Sequence, residues 1–252
     1  MNSLDLNCDM GESFGAWRMG EDEAVLEHVT SANVACGFHA GDPATIRRTV
    51  AAAVGRGVAV GAHPSLPDLA GFGRREMRIA PEEAYELTLY QVGAVAAFAH
   101  AAGDRLHHVK PHGALYNMAA KDATLAAAIA GAVRDFDRGL VLYGLAGSEL
   151  VRAGRDAGIA VANEAFVDRS YQPDGSLTPR HRPEAIIRDV GQALAQVVRM
   201  VMQGCARCVD GTDIAIQVDT LCIHGDAPQA LVFARAIRAE LERLGVAVRA
   251  PG

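Results

Sequence analysis

The 252 residues carry 24 Lys and Arg against 30 Asp and Glu, a formal net charge of −6, and half of them are hydrophobic. That balance excludes a nucleic-acid binder, which needs a basic stripe, and no apolar run in the sequence is long enough to span a membrane. The length suits one α/β barrel or two small domains. With no basic-then-apolar leader at Met1, a cytoplasmic location is the default expectation.

Taken in chain order, strand-like runs are predicted at Leu4–Asp9, Asn33–Gly37, Val58–His63, Leu106–Lys110, Leu140–Leu145, Ile159–Phe166 and Leu221–His224. Helical periodicity lies between them at Glu21–Val29, Pro43–Val54, Pro81–Ala102, Ala123–Asp135, Ser148–Ala157, Pro183–Gln203 and Pro228–Leu244. Asp42-Pro43 reads as an N-cap followed by proline at the first helical position, and Pro81, Pro183 and Pro228 suit similar starts. Gly103, Gly158 and Gly245 lie where helices should stop. Val246–Arg249 reads as a short final strand. Seven alternations without a linker predict α/β architecture of one kind, a single seven-stranded, TIM-like β/α barrel domain across residues 1–252. An open doubly wound sheet is the alternative, but it calls for a Gly-rich phosphate loop, and no G-x-x-x-x-G-K-[ST] or persuasive G-x-G-x-x-G is present.

In a barrel, polar residues at the ends of the strands gather on one face, where chemistry resides. Asn7, Asp9 and Glu12 close the first strand; Asp9 is a candidate general base or metal ligand. His39 ends the second strand and His63 the third, and with Asp9 they would make a divalent-metal triad. Asp42 is expected to cap a helix. Lys110 and His112 follow the fourth strand. Only Lys110 and Lys121 are lysines among 24 basic residues, which singles out Lys110 as an oxyanion stabiliser, or a base if desolvated; His107 and His108 are weaker candidates. Asp168 and Arg169 at the sixth strand read either as a mutually neutralising pair or as an anion site. His224 sits at the seventh strand like His39 at the second, with Asp226 placed as a cap. Two long loops, Pro64–Ala80 with Arg74 and Arg75 and Ser170–Arg182 with Arg180, should cover the same face. The five cysteines are an odd number, so a disulfide framework is not expected, and Cys205-x-x-Cys208 reads as incidental.

MNSLDLNCDMGE, SANVACGFHAGDP, VAVGAHPSLPD, GFGRR, HHVKPHGALYN, GLAGSEL, FVDRSYQPDGSLTPR and LCIHGD together resemble the LamB/YcsF family, in order from Leu4 to about Val248. The resemblance implies a barrel of the glycoside hydrolase/deacetylase type and a component of an ATP-dependent 5-oxoprolinase, opening 5-oxoproline to L-glutamate with two further subunits, B and C. ATP, accompanied by Mg²⁺, is then a co-substrate bound mainly on a partner or at a subunit junction. The positions carried over are Asp9, His39, His63, Lys110, His112, Asp168, Arg169 and His224. In that setting Asp9 with His39 or His63 activates water, Lys110 stabilises charge, and Arg169 or the Arg74/Arg75 loop holds the substrate carboxylate. Two rival expectations stand beside it: a metal-dependent amide hydrolase or deacetylase acting without ATP, and a non-catalytic lactam-binding subunit.

Overall fold

The computed structural model describes residues 3–226 and 229–252. Its strands, in chain order, are β1 (Ser3–Met10), β2 (Ser31–Ala35), β3 (Ala59–His63), β4 (His108–Val109), β5 (Val141–Leu145), β6 (Ala160–Phe166), β7 (Cys205–Arg207), β8 (Asp213–Ala215), β9 (Thr220–Ile223) and β10 (Ala247–Val248). The helices are α1 (Asp22–Val25), α2 (Pro43–Val54), α3 (Pro81–Ala101), α4 (Gly113–Ala119), α5 (Ala123–Phe136), α6 (Glu149–Asp156), α7 (Val190–Val198) and α8 (Ala230–Arg243). Strands β1 to β6 pair in sequence order, β6 pairs with β9, and β9 closes back onto β1, all in parallel. Seven strands therefore form a closed barrel ringed by helices, as the alternation predicted. Closure leaves no edge among them. The short β10 adds to the start of β1, with Ser3 opposite Ala247.

The expected helix starts are visible as caps. Asp42 accepts from the backbone N–H of Ala44 and Thr45, both at 3.0 Å, and Glu83 reaches back to the N–H of Ala80 at 2.8 Å ahead of α3. Two segments differ from expectation. Glu21–Val29 is helical only over Asp22–Val25. Pro183–Gln203 is not one helix: a 3₁₀ turn at Pro183–Ala185 gives way to extended chain, then α7, then a π turn at Arg199–Gln203. The break has a hydrogen-bonding cause. Ser170 N–H donates to Ala185 O and Ile187 N–H to Asp168 O, so this stretch pairs with the chain leaving β6 instead of with itself. Asp189 then caps α7 through Gln192 N–H at 2.8 Å. The start expected at Pro228 lies outside the described residues. Cys205 and Cys208 belong to the β7–β8 hairpin region, and all five cysteines are free thiols.

The bore of the barrel is polar, which the apolar runs concealed. Asp5 at the bottom accepts from the hydroxyls of Thr30, Ser31, Thr220 and Tyr143 at 2.6, 2.8, 2.7 and 3.0 Å. Burial still pushes its carboxyl above the usual range. One layer up, Asn7 donates to Glu164 at 2.9 Å and accepts from Asn33 at 2.7 Å, while His108 Nε2 meets Asn33 Oδ1 at 2.7 Å. The His108 ring fits because β3 has glycine beside it: a Cβ on Gly61 would overlap the imidazole at Nε2. The column is a nearly continuous set of satisfied buried groups supporting the mouth above, as buried polar networks must be. Gly61→Ala should therefore displace His108 and lower stability by about 2 kcal/mol, in line with overpacking a closed core; thermal melting followed by circular dichroism would measure it.

Candidate active site

The C-terminal end of the barrel opens into a cavity of 630 Å³ lined by Asp9, His63, Arg74, Lys110, His112, Lys121, Phe166, Arg169, Arg180 and His224, among others. Lys110 lies at its floor, only 2% exposed. Its Nζ donates to Asp9 Oδ1 at 2.8 Å and Cys222 Sγ at 2.9 Å, and pairs with Glu164 Oε1 at 2.8 Å. An ammonium has three hydrogens, and each has a partner. Burial would strip the proton, but the charges of Asp9 and Glu164 outweigh it and hold the amine well above its ordinary pKa. Lys110 is thus a fixed cation and not a free-amine base. Asp9 mirrors it. Burial favours its neutral form, yet His63 and Lys110 keep the carboxyl well below the usual range. Its Oδ1 also accepts from Asn33 at 2.8 Å, which leaves Oδ2 nearest His63 Nε2, 3.4 Å away.

Three histidines pack beside this pair. His63 Nδ1 lies 2.7 Å from the carbonyl of Lys110, His63 Nε2 lies 2.9 Å from His112 Nδ1, and His112 Nε2 lies 2.8 Å from the carbonyl of Phe72. His39 stacks on His112 with centroids 3.8 Å apart, and Phe72 sets its edge against both rings. Phe72 holds φ at 55°, a left-handed conformation rare for an aromatic residue. The next residue has to be glycine, since a Cβ on Gly73 would overlap Ser65 Oγ and press to 2.9 Å from His39 and His112. Burial lowers the pKa of His39 and His112, helped by the neighbouring rings. Glu12 Oε1 is 3.5 Å from His39 Nε2, and burial reinforced by Asp9 and Asp226 pushes its carboxyl well up, toward the neutral acid.

On the opposite wall, both oxygens of Asp168 lie 2.9 Å from His224 Nδ1. The carboxylate accepts, so Nδ1 carries the hydrogen and Nε2 offers its lone pair to the cavity, the geometry of an oriented acid–base imidazole. Although burial opposes it, His224 and then Arg180 and Arg169 hold Asp168 below its ordinary pKa. The mouth is ringed by guanidiniums. Arg74 pairs with Asp226 at 2.8 Å. Arg169 donates to the carbonyls of Thr178 at 2.6 Å and Ala185 at 3.2 Å, bracing the long loop, and burial beside Arg180 lowers it to about 10. Arg180 borders the cavity with no ion-pair partner among the described residues.

His39 and His112 do not fit one metal ion together, which leaves Glu12, His63 and His112 as the set that could hold one. Glu12, His39, His63 and His112 each place one ligand atom within 4.8 Å of the others. Two imidazoles bound to one ion at about 2.1 Å need ring centroids at least about 4.5 Å apart, whereas those of His39 and His112 are 3.8 Å apart and parallel within 4°. Asp9 groups with Cys222 and His224, although its Oδ2 also lies 3.4 Å from His63 Nε2, and in that group the Lys110 ammonium already bonds both Asp9 and Cys222. The cation of that cluster is the lysine.

A family model described as the LamB/YcsF family matches residues 4–252. The chain belongs to the LamB/YcsF family. It is 67% identical over 248 residues to the 5-oxoprolinase A subunit of Bordetella parapertussis, covering 98% of each chain. A lactam utilization protein from Thermus thermophilus matches at 50% identity with a TM-score of 0.92, over 99% of this chain and 100% of that one. A family 4 carbohydrate esterase from Streptomyces lividans, at 12% identity and a TM-score of 0.52 over 98% of this chain and 91% of that one, shares the fold alone.

The family motifs converge where strand ends predicted, with four differences in placement. His39 and Glu12 are buried behind Phe72 and His112 and do not border the cavity, and Asn7 lies below it in the bore. Asp168 serves His224 and not Arg169. Arg75 turns outward onto Asp68, leaving Arg74 as the arginine of that loop at the cavity. Asp226, placed as a cap, instead holds Arg74. Sequence reasoning passed over Glu164, which is 0% exposed and pairs with Lys110. Its signal was present: it shares the alternation of Phe166 and Asp168, a carboxylate inside an otherwise apolar strand. Because Asp168 is depressed in the folded state, it stabilises the protein above about pH 4 and loses that effect as pH falls through the lowered value. The difference in melting temperature between the parent protein and Asp168→Asn should therefore shrink between about pH 5 and pH 3, as measured by calorimetry.

Proposed function

We propose that this chain is the ring-opening component of an ATP-dependent 5-oxoprolinase, a cyclic amide hydrolase that converts 5-oxo-L-proline to L-glutamate together with subunits B and C. The observation that carries this reading is the His224–Asp168 dyad facing Asp9 and Lys110 across a cavity rimmed by Arg74, Arg169 and Arg180. The name of the Bordetella relative supports the substrate and the membership of a larger assembly.

A five-membered lactam is an unstrained amide with little drive toward hydrolysis, so a coupled ATP is chemically useful. Phosphorylating the amide oxygen turns the carbonyl carbon into an electrophile that water attacks; breaking the C–N bond then leaves an acyl phosphate, which a second water hydrolyses to glutamate and phosphate. ATP with its Mg²⁺ then binds mainly on a partner or at a subunit junction, in keeping with the lack of a Walker-type phosphate motif in this sequence. Here His224 Nε2, oriented by Asp168, takes the proton of the attacking water. Asp9 Oδ2 lies on the same floor and orients that water, while Lys110 fixes the charge of Asp9. Arg180, whose guanidinium has no ion-pair partner among the described residues, takes the substrate carboxylate. Three guanidiniums exceed what one carboxylate needs, and the surplus suits a phosphoryl group on the substrate as well.

The deciding experiment is glutamate release from 5-oxoproline with ATP and Mg²⁺, using this chain alone and mixed with its B and C partners. Glutamate matched by ADP in the full mixture supports the reading; no glutamate with folded, associated partners overturns it. In that assay Arg180→Ala should raise KM for 5-oxoproline by about 10- to 100-fold, the loss of one charge-assisted contact, while His224→Ala should lower kcat by about 100-fold or more.

A further inference from the structure

The two residues of the His224–Asp168 dyad stand outside the sheet. The last pair of β6 with β9 is Phe166 opposite Cys222, and Asp168 and His224 each lie two positions beyond it. One further bond joins the strand ends, from Val167 N–H to Cys222 O at 3.2 Å. Past that point no strand pair among the described residues fixes how the two exits face each other. Yet the dyad needs both oxygens of Asp168 at 2.9 Å from His224 Nδ1. The β6 exit must be held from elsewhere.

Much of the hold comes from one side chain in the ring of helices. Gln196 on α7 places Nε2 2.9 Å from the carbonyl of Phe166, 2.9 Å from that of Arg169 and 3.4 Å from that of Val167. Carbonyl oxygens only accept, and a side-chain amide nitrogen carries two hydrogens. That chemistry fixes which way the amide is turned. Its two hydrogens go to the two nearer carbonyls, which flank Asp168 in the chain. The carbonyl of Asp168 itself accepts from Ile187 N–H at 2.8 Å, and Phe166 N–H donates to Tyr171 Oη at 2.8 Å. With the backbone held on both sides, Asp168 is aimed at His224 while Arg169 turns to the carbonyls of Thr178 and Ala185. A carboxylate at position 196 would have the same shape and no hydrogen to give.

We propose that Gln196 is a positioning residue of the site, clamping the carbonyls of Phe166 and Arg169 so that Asp168 stays where it orients His224, an inference that rests on the ring-opening function above. Gln196 does not border the active-site cavity. It borders a separate groove of 530 Å³ that also reaches Ser170 and Ile187. Water from that groove can take the two carbonyls once the amide is gone. Loss of the amide therefore loosens the exit of β6 without unfolding the barrel.

Gln196→Met keeps the reach of the side chain and removes both hydrogens, and Gln192→Met, at an exposed position of the same helix, is its control. In the full chain at neutral pH, NMR of ¹⁵N-labelled histidines, with His224→Gln giving the assignment, should show the His224 Nδ1–H as a low-field proton that exchanges slowly with water. Gln196→Met should shift that proton upfield and hasten its exchange; Gln192→Met should leave it in place. In the assembled enzyme, Gln196→Met should lower kcat by about 10- to 100-fold, the loss expected from a misplaced catalytic group. In an Asp168→Ala background the same change should have little further effect, because groups that act through one another are not additive. An unchanged Nδ1–H signal in Gln196→Met overturns the positioning role, and so does an equal fall of kcat in both backgrounds. A lower melting temperature with kcat per folded enzyme unchanged overturns it as well. If Gln196→Met does not fold, Gln196→Asn, whose amide is one carbon shorter, carries the same comparison. If the parent assembly releases no glutamate, the ring-opening function fails, while NMR still decides whether Gln196 holds the dyad.

Discussion

The site depends on an ammonium held in the bore of a barrel. Taking a charge of that kind out of water costs several kcal/mol unless it is paired and hydrogen-bonded. Lys110 leaves β4 and reaches across the bore to Asp9 on β1, Glu164 on β6 and Cys222 on β9. Those three strands are neighbours at the place where the barrel closes, β6 to β9 to β1. One side chain therefore ties the far wall to the closing seam. Removing Lys110 would leave two buried carboxyls without their cation, so the fold and the electrostatics of the site stand or fall together.

That arrangement sets the state of its neighbours. With Lys110 and His63 beside it, Asp9 stays ionised despite its burial. The negative charge of Asp9 in turn helps push Glu12 toward the neutral acid. Two carboxyls a few residues apart on one strand end are thus driven to opposite states by their surroundings, the pattern by which acid and base roles are divided at neutral pH. Above them the sign reverses. Arg74, Arg169 and Arg180 crowd the mouth, and their mutual repulsion, added to burial, lowers the pKa of Arg169 and Arg180. An anionic ligand would relieve that repulsion, which makes the mouth attractive to anions.

Much of this was legible in the sequence. The seven alternations gave the barrel because β-prone runs and helical periodicity each carry their own spacing, and the strand ends marked the cavity residues Asp9, His63, Lys110 and His224. What remained hidden depends on partners distant in sequence. Glu164 sits within an apolar strand, and only closure of the barrel brings it to Lys110. The polar layer of Asp5, Ser31, Tyr143 and Thr220 is drawn from four strands, so no local window contains it. The broken helix at Pro183–Gln203 escaped because its backbone is claimed by the chain after β6. The roles of His39 and Arg75 were misplaced for a related reason: strand order says which side chains reach the mouth, but Phe72 with its left-handed backbone decides that His39 is covered, and Asp68 decides that Arg75 turns away.

Amide hydrolysis needs one group to accept a proton from water and another to give one to nitrogen, and the two must not exchange with each other first. The strand order of this barrel sets two groups of imidazoles on opposite sides of the bore. His224 and Asp168 stand at the ends of β9 and β6, while His63 and His112 stand at the ends of β3 and β4 on the other side of the bore. Between them lie Asp9 and Lys110, an anion and a cation with every strong hydrogen bond of the cation already committed. A cation so saturated carries no protons between the walls. It acts instead as a fixed charge that keeps Asp9 ionised. An anion held at the arginine mouth would lie between the two walls.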